Sequence, residues 1–268
     1  MQIQDVVFVY QMKDQDEISW HSRSHSHDQY EYEVHYFIQG RGSFVNAPHR
    51  YTISPGSLFL TRPGTEHSII ADDVDDPVSY YALLFNVEPQ EEVLALLTGP
   101  LGEDRIHKIG TNYRFFFEEI KEKGLSTHPL LKKSGEFQFL SFLFQLSDGL
   151  NHFHYGSESN HHIEKALRIL QNAVMDEMTL VDLAAKLKLS EAYLVRLFKK
   201  KMAMTPMKYY RKLKIEAAIS MLVSSDMPIF YISQKLHFYS EFHFSKVFKQ
   251  LTGLSPSHYR KKYYQVIG

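Results

Sequence analysis

The sequence predicts an α+β chain of two unlike halves, a β-rich N-terminal barrel followed by a helical hairpin, and an all-α C-terminal part. Three observations carry this. Up to Val87 the 268-residue chain is a series of short apolar or alternating runs separated by Gly and Pro. From Glu91 the apolar spacing becomes helical, and from Thr179 to Lys262 the chain repeats itself at an offset of fifty positions. Charge divides the same way: from His161 on there are 18 Lys+Arg against 8 Asp+Glu, which leaves the front of the chain acidic within a total of −1. A basic half joined to an acidic half is the pattern of a nucleic-acid reader attached to a separate sensing unit.

Composition narrows the remaining classes. A hydrophobic content of 44% is ample for ordinary packed cores. With Cys at 0, disulfides, thiolate metal sites and a cysteine nucleophile are excluded. No apolar run approaches the ~20 residues of a membrane span, and the start, MQIQDVVFVYQMKDQDE, lacks the features of a signal peptide. The expectation is a cytoplasmic protein without a membrane partner.

The strands expected in order are Val6–Val9, Tyr32–Ile38, Ser43–Val45, Tyr51–Ile53, Ser57–Leu60, Ser68–Ile70 and Tyr80–Val87, with turns at Gly40-Arg-Gly42, Pro48, Ser54-Pro55-Gly56 and Arg62-Pro63-Gly64. Short strands at such intervals point to a sandwich or barrel. Period-two alternation puts Glu31, Glu33, His35 and Phe37 on one face and Tyr32, Val34, Tyr36 and Ile38 on the other. Acid and imidazole on one face predict a cavity or a wet surface. The run His25-Ser26-His27, then Glu33, then six residues to Gly40, followed by Gly56, Pro63-Gly64 and His67, resembles the two motifs of cupin barrels. It departs from them in the longer gap from His27 to Glu33 and in having no Asn three residues after His67; Glu31 fits the spacing but not the distance to Gly40.

Three readings of these groups stay open. They line a pocket for a small polar effector, they are surface histidines flanking a strand, or they form a metal site, since imidazole and carboxylate suit Fe, Mn, Ni or Zn. The first is preferred, with no resident cofactor. The lone Trp20 offers a flat face for a sugar ring, and charged acceptors bind its hydroxyls. The candidate effector residues are Trp20, His25, His27, Glu33, His35, Arg41, His67 and Tyr81. The barrel is placed at 1–90.

Helices follow at 91–150: Val93–Leu97, ended by Gly99-Pro100, then Tyr113–Lys123 and Ser134–Leu150. In the last, Phe137, Leu140, Phe144 and Leu150, widened by Phe139, Phe142 and Leu143, leave it apolar around most of its circumference. Such a helix needs burial on more than one side, so a homodimer contact is expected here. NHFHYGSESN, residues 151–160, reads as a linker.

In the remaining 161–268, Ile163–Met175 is amphipathic. Thr179 with Asp182 caps the next helix, and Ser190 caps a second whose Leu194, Leu197 and Phe198 point inward. Thr205-Pro206 opens a long helix to about Val223 with Lys208, Arg211, Lys212 and Lys214 outside. The second copy has Ile229, Ile232 and Leu236 packed, Ser240 as cap, and Phe244, Val247, Phe248 and Leu251 inside. Its turn before the cap is one residue longer. Two units of short helix, tight turn and capped helix are two helix-turn-helix readers of double-stranded DNA. Their outward residues are Glu191, Ala192, Tyr193, Val195, Arg196, Lys199 and Lys200 in the first, and Glu241, Phe242, His243, Ser245, Lys246 and Lys249 in the second.

The run from Phe238-Tyr-Ser240-Glu-Phe-His-Phe244 through Gly253-Leu-Ser-Pro256 to Tyr259-Arg260 strongly resembles the arabinose-regulator (AraC/XylS) family, and the cupin-like front matches that family's common sensor. Where the family often has glycine, His237 stands before Phe238, and Ala203 is the repeat partner of Gly253; Ala203 calls only for a backbone that non-glycine residues adopt. The resemblance implies base contacts at Ala192, Val195 and Arg196, then at Phe242, Ser245 and Lys246, in successive major grooves. Arg196 is the sharpest of these, because Arg to guanine is the commonest specific contact. Lys199, Lys200, Lys208 and Lys249 are expected at phosphates. By the same resemblance the chain is a transcription regulator, not an enzyme. It activates carbohydrate uptake or catabolism genes through RNA polymerase and is switched by a sugar in the barrel. A metal-binding cupin sensor or enzyme fused to a DNA reader is the alternative.

Overall fold

A computed structural model describes residues 1–12, 26–72, 75–102, 106–147 and 158–264. These fall into two compact units that meet in sequence between residues 147 and 158.

The first unit is two antiparallel sheets and three helices. Strands β1 (Gln2–Met12), β7 (Val78–Asn86), β2 (Glu31–Gln39), β5 (Ser57–Thr61) and β8 (His107–Lys108) lie side by side in that order. β4 (His49–Ile53), β3 (Gly42–Asn46) and β6 (His67–Ala71) form the second sheet. Every expected strand is present, most of them longer by a residue or more at each end; the two-residue β8 is too short to carry a periodic signal. β2 is buried on both faces. Its Phe37 and the cross-strand Tyr80 look inward, where the Phe44 and Phe59 rings stack at 4.4 Å and tie the two sheets together.

The outer face of β2 is roofed by α2 (Arg114–Gly124), which α3 (Pro129–Ser147) backs; α1 (Val93–Thr98) precedes them. Phe117 of α2 stacks on Tyr36 at 4.8 Å, and Phe139 of α3 meets Phe85 edge-on at 5.2 Å. The two helices approach closely because a side chain at Gly135 would lie 2.8 Å from Lys123 Cβ. α3 starts five residues ahead of the expected Ser134. It buries Phe139, Phe142, Leu143 and Leu146 but leaves Leu130, Leu131, Phe137 and Phe144 exposed.

The second unit is seven helices: α4 (Glu158–Asn172), α5 (Leu180–Leu187), α6 (Glu191–Met202), α7 (Pro206–Ser224), α8 (Ile229–Lys235), α9 (Glu241–Thr252) and α10 (Pro256–Tyr264). The last three residues of the expected linker therefore belong to α4. The repeat is structural: α5–α6 and α8–α9 are equivalent pairs, each followed by a helix opening with proline. Leu183, Ala184, Leu194 and Phe198 form the core of one pair, Ile232, Leu236, Phe244 and Phe248 that of the other. Leu251, expected inside, is exposed. Ala203 adopts a left-handed backbone, φ 53°, at the position that Gly253 fills with φ 80°. The alanine makes the same left-handed helix ending as the glycine, contrary to expectation, at a cost of roughly 1–2 kcal/mol.

Candidate functional site

Each reader is set up by its caps. The Asp182 amide donates to Thr179 Oγ1 at 3.1 Å and the Thr179 amide donates to Asp182 Oδ2 at 3.0 Å, a reciprocal box that satisfies two free helix-end donors. The Thr179 hydroxyl and amide hold the Asp182 carboxyl below its ordinary value, with Lys186 adding to this. Ser190 Oγ accepts from the Tyr193 amide at 3.3 Å, and Ser240 Oγ from the His243 amide at 3.1 Å. The turns between helices pivot on left-handed residues, Lys188 two positions before one serine and His237 three before the other, which is the extra residue seen in the sequence. From these caps α6 and α9 project matching faces. Ala192, Arg196, Lys199 and Lys200 are exposed on α6, with Tyr193 and Val195 half-buried beside them. Glu241, Phe242, Lys246 and Lys249 are exposed on α9, with His243 and Ser245 half-buried. The Arg196 guanidinium lies 5.5 Å over the Tyr193 ring, so this side chain is held on the outward face by a cation–π contact. An α-helix of this width fits a major groove.

The helix between the readers, α7, ties them to one another. Lys214, expected outside, is buried. Its ammonium donates to the Asp176 carbonyl at 2.9 Å, beyond α4, and to the Leu236 carbonyl at 2.7 Å, at the end of α8. Burial lowers its pKa to about 8, against the opposing pull of Glu177 and Asp176.

In the first unit the polar groups of the inner face converge on a single atom. Glu33 Oε2 lies 2.8 Å from His27 Nε2, 2.9 Å from His67 Nε2 and 3.4 Å from His35 Nε2. Glu33 and His35 come from β2, His67 from the start of β6, and His27 from the segment leading into β2. Glu33, His35 and His67 are buried and His27 is half-buried at the edge. The second sheet packs over this face through Phe44, so the cluster is buried except at His27.

Two family models match the chain: "AraC-like ligand binding domain" over residues 12–111 and "Helix-turn-helix domain" over residues 183–262, together more than half its length. The raffinose operon transcriptional regulatory protein of Pediococcus pentosaceus is 28% identical over 86% of this chain and 84% of its own length. The Msm operon regulatory protein of Streptococcus mutans is 23% identical over 86% and 84% respectively. An uncharacterised helix-turn-helix-type transcriptional regulator of Escherichia coli is 35% identical over 35% of this chain and 32% of its own. The chain belongs to the AraC family. It is a DNA-binding transcription regulator with an N-terminal sensor of cupin-like fold. Among the described residues no helix is long and apolar enough to cross a membrane.

Within this AraC-family frame the candidate effector residues separate. His27, Glu33, His35 and His67 come together. Arg41 does not join them: its side chain is 80% exposed and faces Asp76 at 3.4 Å. Tyr81 lies on the opposite, helix-covered face, where its hydroxyl donates to Glu118 at 2.7 Å. Trp20 and His25 lie outside the described residues. Two interior groups were missed. Tyr80 is the tyrosine that faces inward; burial, and then the Glu33 charge, push its pKa well up. Thr61, wholly buried, pairs directly across from Glu33, and its hydroxyl has no hydrogen-bond partner among the described residues. Extending the alternation of β2 across its neighbours finds both, once the register is known.

Proposed function

We propose that this regulator reads two successive major grooves on one face of DNA with α6 and α9, and that a small polar effector in the barrel, a sugar, sets its activity. The observation that carries the first part is the pairing of two serine-capped helices with equivalent outward faces on a shared scaffold. Arg196 reads guanine, Ala192 and Val195 offer apolar contact to thymine methyls, and Phe242, Ser245 and Lys246 make the second set of base contacts. Lys199, Lys200, Lys208 and Lys249 bind phosphates, supplying affinity and salt dependence rather than sequence. The sugar reading draws support from the raffinose-operon relative, which aligns through the sensor as well as the reader. The effector moves the equilibrium between DNA-binding states only by its difference in affinity for them.

The regulator acts as a homodimer. The exposed Leu130, Phe137 and Phe144 of α3 recur every seven residues, a spacing that lines one stripe of a helix and suits a paired helix contact. The domain plan is a barrel with its helical hairpin up to about residue 150, a linker, and the reader beyond it.

The experiment is selection of bound sequences from a random DNA pool, followed by gel shifts on the selected site with and without mono-, di- and trisaccharides. Arg196→Ala is expected to lower affinity by ~1–3 kcal/mol and to relax preference at one guanine. One sugar class is expected to change the affinity of the wild type. An Arg196→Ala protein with unchanged preference would remove that residue from the readout, and indifference to every sugar would remove the sugar.

A further inference from the structure

We propose that the barrel of this regulator holds a divalent first-row transition metal on His27, Glu33 and His67, where sequence alone favours an effector pocket without a cofactor. The inference stands whether or not the effector is a sugar.

The first observation is convergence. One nitrogen from each of two histidines and one carboxylate oxygen all lie within 4.8 Å of one another. The contacts of 2.8 and 2.9 Å to Glu33 Oε2 approach the ~3 Å that separates neighbouring ligands at right angles around an ion bound at ~2.1 Å. Two imidazoles and a carboxylate with open positions are the donor set of non-haem iron centres and of many zinc sites.

The second observation is independent and concerns protons. His67 Nδ1 lies 3.2 Å from the Thr65 carbonyl, which can only accept, so Nδ1 carries the hydrogen. In the neutral ring this leaves Nε2 as a bare lone pair, and it points at a carboxylate oxygen 2.9 Å away. Two facing lone pairs in a buried site need something between them, and a metal ion or a shared hydrogen satisfies both. A ring N–H given to a backbone carbonyl with the other nitrogen turned inward is also how metal-bound histidines are held in their working tautomer.

The third observation concerns what surrounds the cluster. The unpartnered Thr61 hydroxyl lies on the same face, directly across the strand pair from Glu33, as cross-strand partners do. It is placed to bond a water or an effector oxygen beside the ion. His35 Nε2 lies 3.4 Å from the shared oxygen, on the same strand as Glu33. His27 at the half-buried edge marks the entry side. A bound ion would supply positive charge and open positions for the oxygens of a polar effector.

The test uses the untagged full-length chain, stripped with chelator and titrated with Co²⁺ by visible absorption, then with Zn²⁺ in competition. One equivalent per chain is expected, with ligand-field bands that Zn²⁺ abolishes. His27→Gln and His67→Gln are each expected to weaken binding by more than the roughly 10–100-fold lost with an outer-shell partner. His161→Gln/His162→Gln, a surface pair on α4, is expected to change nothing. His27→Gln lies at the half-buried edge and keeps the test sound where His67→Gln fails to fold. Absence of stoichiometric uptake, or uptake that survives both single substitutions, overturns the proposal and makes the positive charge in the cluster a proton. Gel shifts on the same preparations report separately on the DNA-reader assignment.

Discussion

Replacing Lys214 by methionine tests whether one buried ammonium holds the two readers in register. The Lys214 ammonium is packed over the Tyr210 ring at 4.7 Å and donates to two carbonyls, Asp176 O in the turn beyond α4 and Leu236 O at the end of α8. Asp176 O keeps a second donor in the substituted protein, the Tyr210 hydroxyl at 2.6 Å. Among the described residues Leu236 O accepts from the lysine alone, so one buried carbonyl is stranded. That loss is about 1–3 kcal/mol, since methionine restores most of the packing volume but no donor. The pH dependence has a definite sign. The folded pKa, about 8, lies below the ordinary 10.5, so between these values the unfolded chain holds a proton that the folded chain has released. Stability then rises with pH across that window. The methionine protein lacks this contribution, so its deficit widens from about pH 8 to 10.5. The assay is urea unfolding of both full-length proteins, followed by far-ultraviolet circular dichroism at several pH values, with gel shifts on the two-groove site and on a half-site. Leu236 immediately precedes the left-handed turn at His237, and Asp176 lies just ahead of the Thr179 cap. The loss of DNA affinity is therefore expected to be greater on the two-groove site. A difference in stability under ~0.5 kcal/mol with parallel pH curves, the scale of an ordinary surface substitution, would refute the reasoning.

Two further outcomes follow from single residues. Ala203→Gly relieves the left-handed strain at the end of α6 and gives back some of it as chain entropy when unfolded. A net stabilisation of about 0.5–1 kcal/mol is expected in the same urea assay, and no gain would mean that the backbone at φ 53° is not strained. Phe137→Lys places a charge in the exposed α3 stripe, where Phe137 is 59% exposed. Sedimentation is expected to show a dimer for the wild type and a monomer for the variant, each folded; a wild type that is monomeric at micromolar concentration with and without DNA ends the dimer reading.

What could be read in advance depended on whether the information was local. The caps at Thr179, Ser190 and Ser240 are local: a side-chain oxygen three residues ahead of an amide needs nothing from the rest of the chain, and each was legible. So was the extra residue in the second turn, because the repeat supplied its own reference. The outward faces of α6 and α9 followed from helical period for the same reason. Lys214 could not be read this way. It sits on a helix packed on several sides, where periodicity no longer separates inside from outside, and a lysine is assigned to solvent by its type. What makes it an interior residue is a pair of carbonyls, one in the turn beyond α4 and one at the end of α8, 38 and 22 positions away.

The barrel shows the same division more sharply. Alternation within β2 placed Glu33 and His35 on one face, and that was correct because it concerns one strand. It said nothing about what lies over that face, and a carboxylate flanked by imidazoles reads as wet until a second sheet is known to cover it. The choice between Tyr80 and Tyr81 depended on register: Tyr80 opposes Phe37 and shares its face, and a shift of one residue would exchange the two tyrosines. The hydrogen on His67 depended on a carbonyl two residues back, in a turn whose geometry no pattern announces. Sequence thus identified the chemical groups of the cluster, while the contacts among them came only with the fold. A residue type can be read where it stands, but its partners belong to the register and the turns around it.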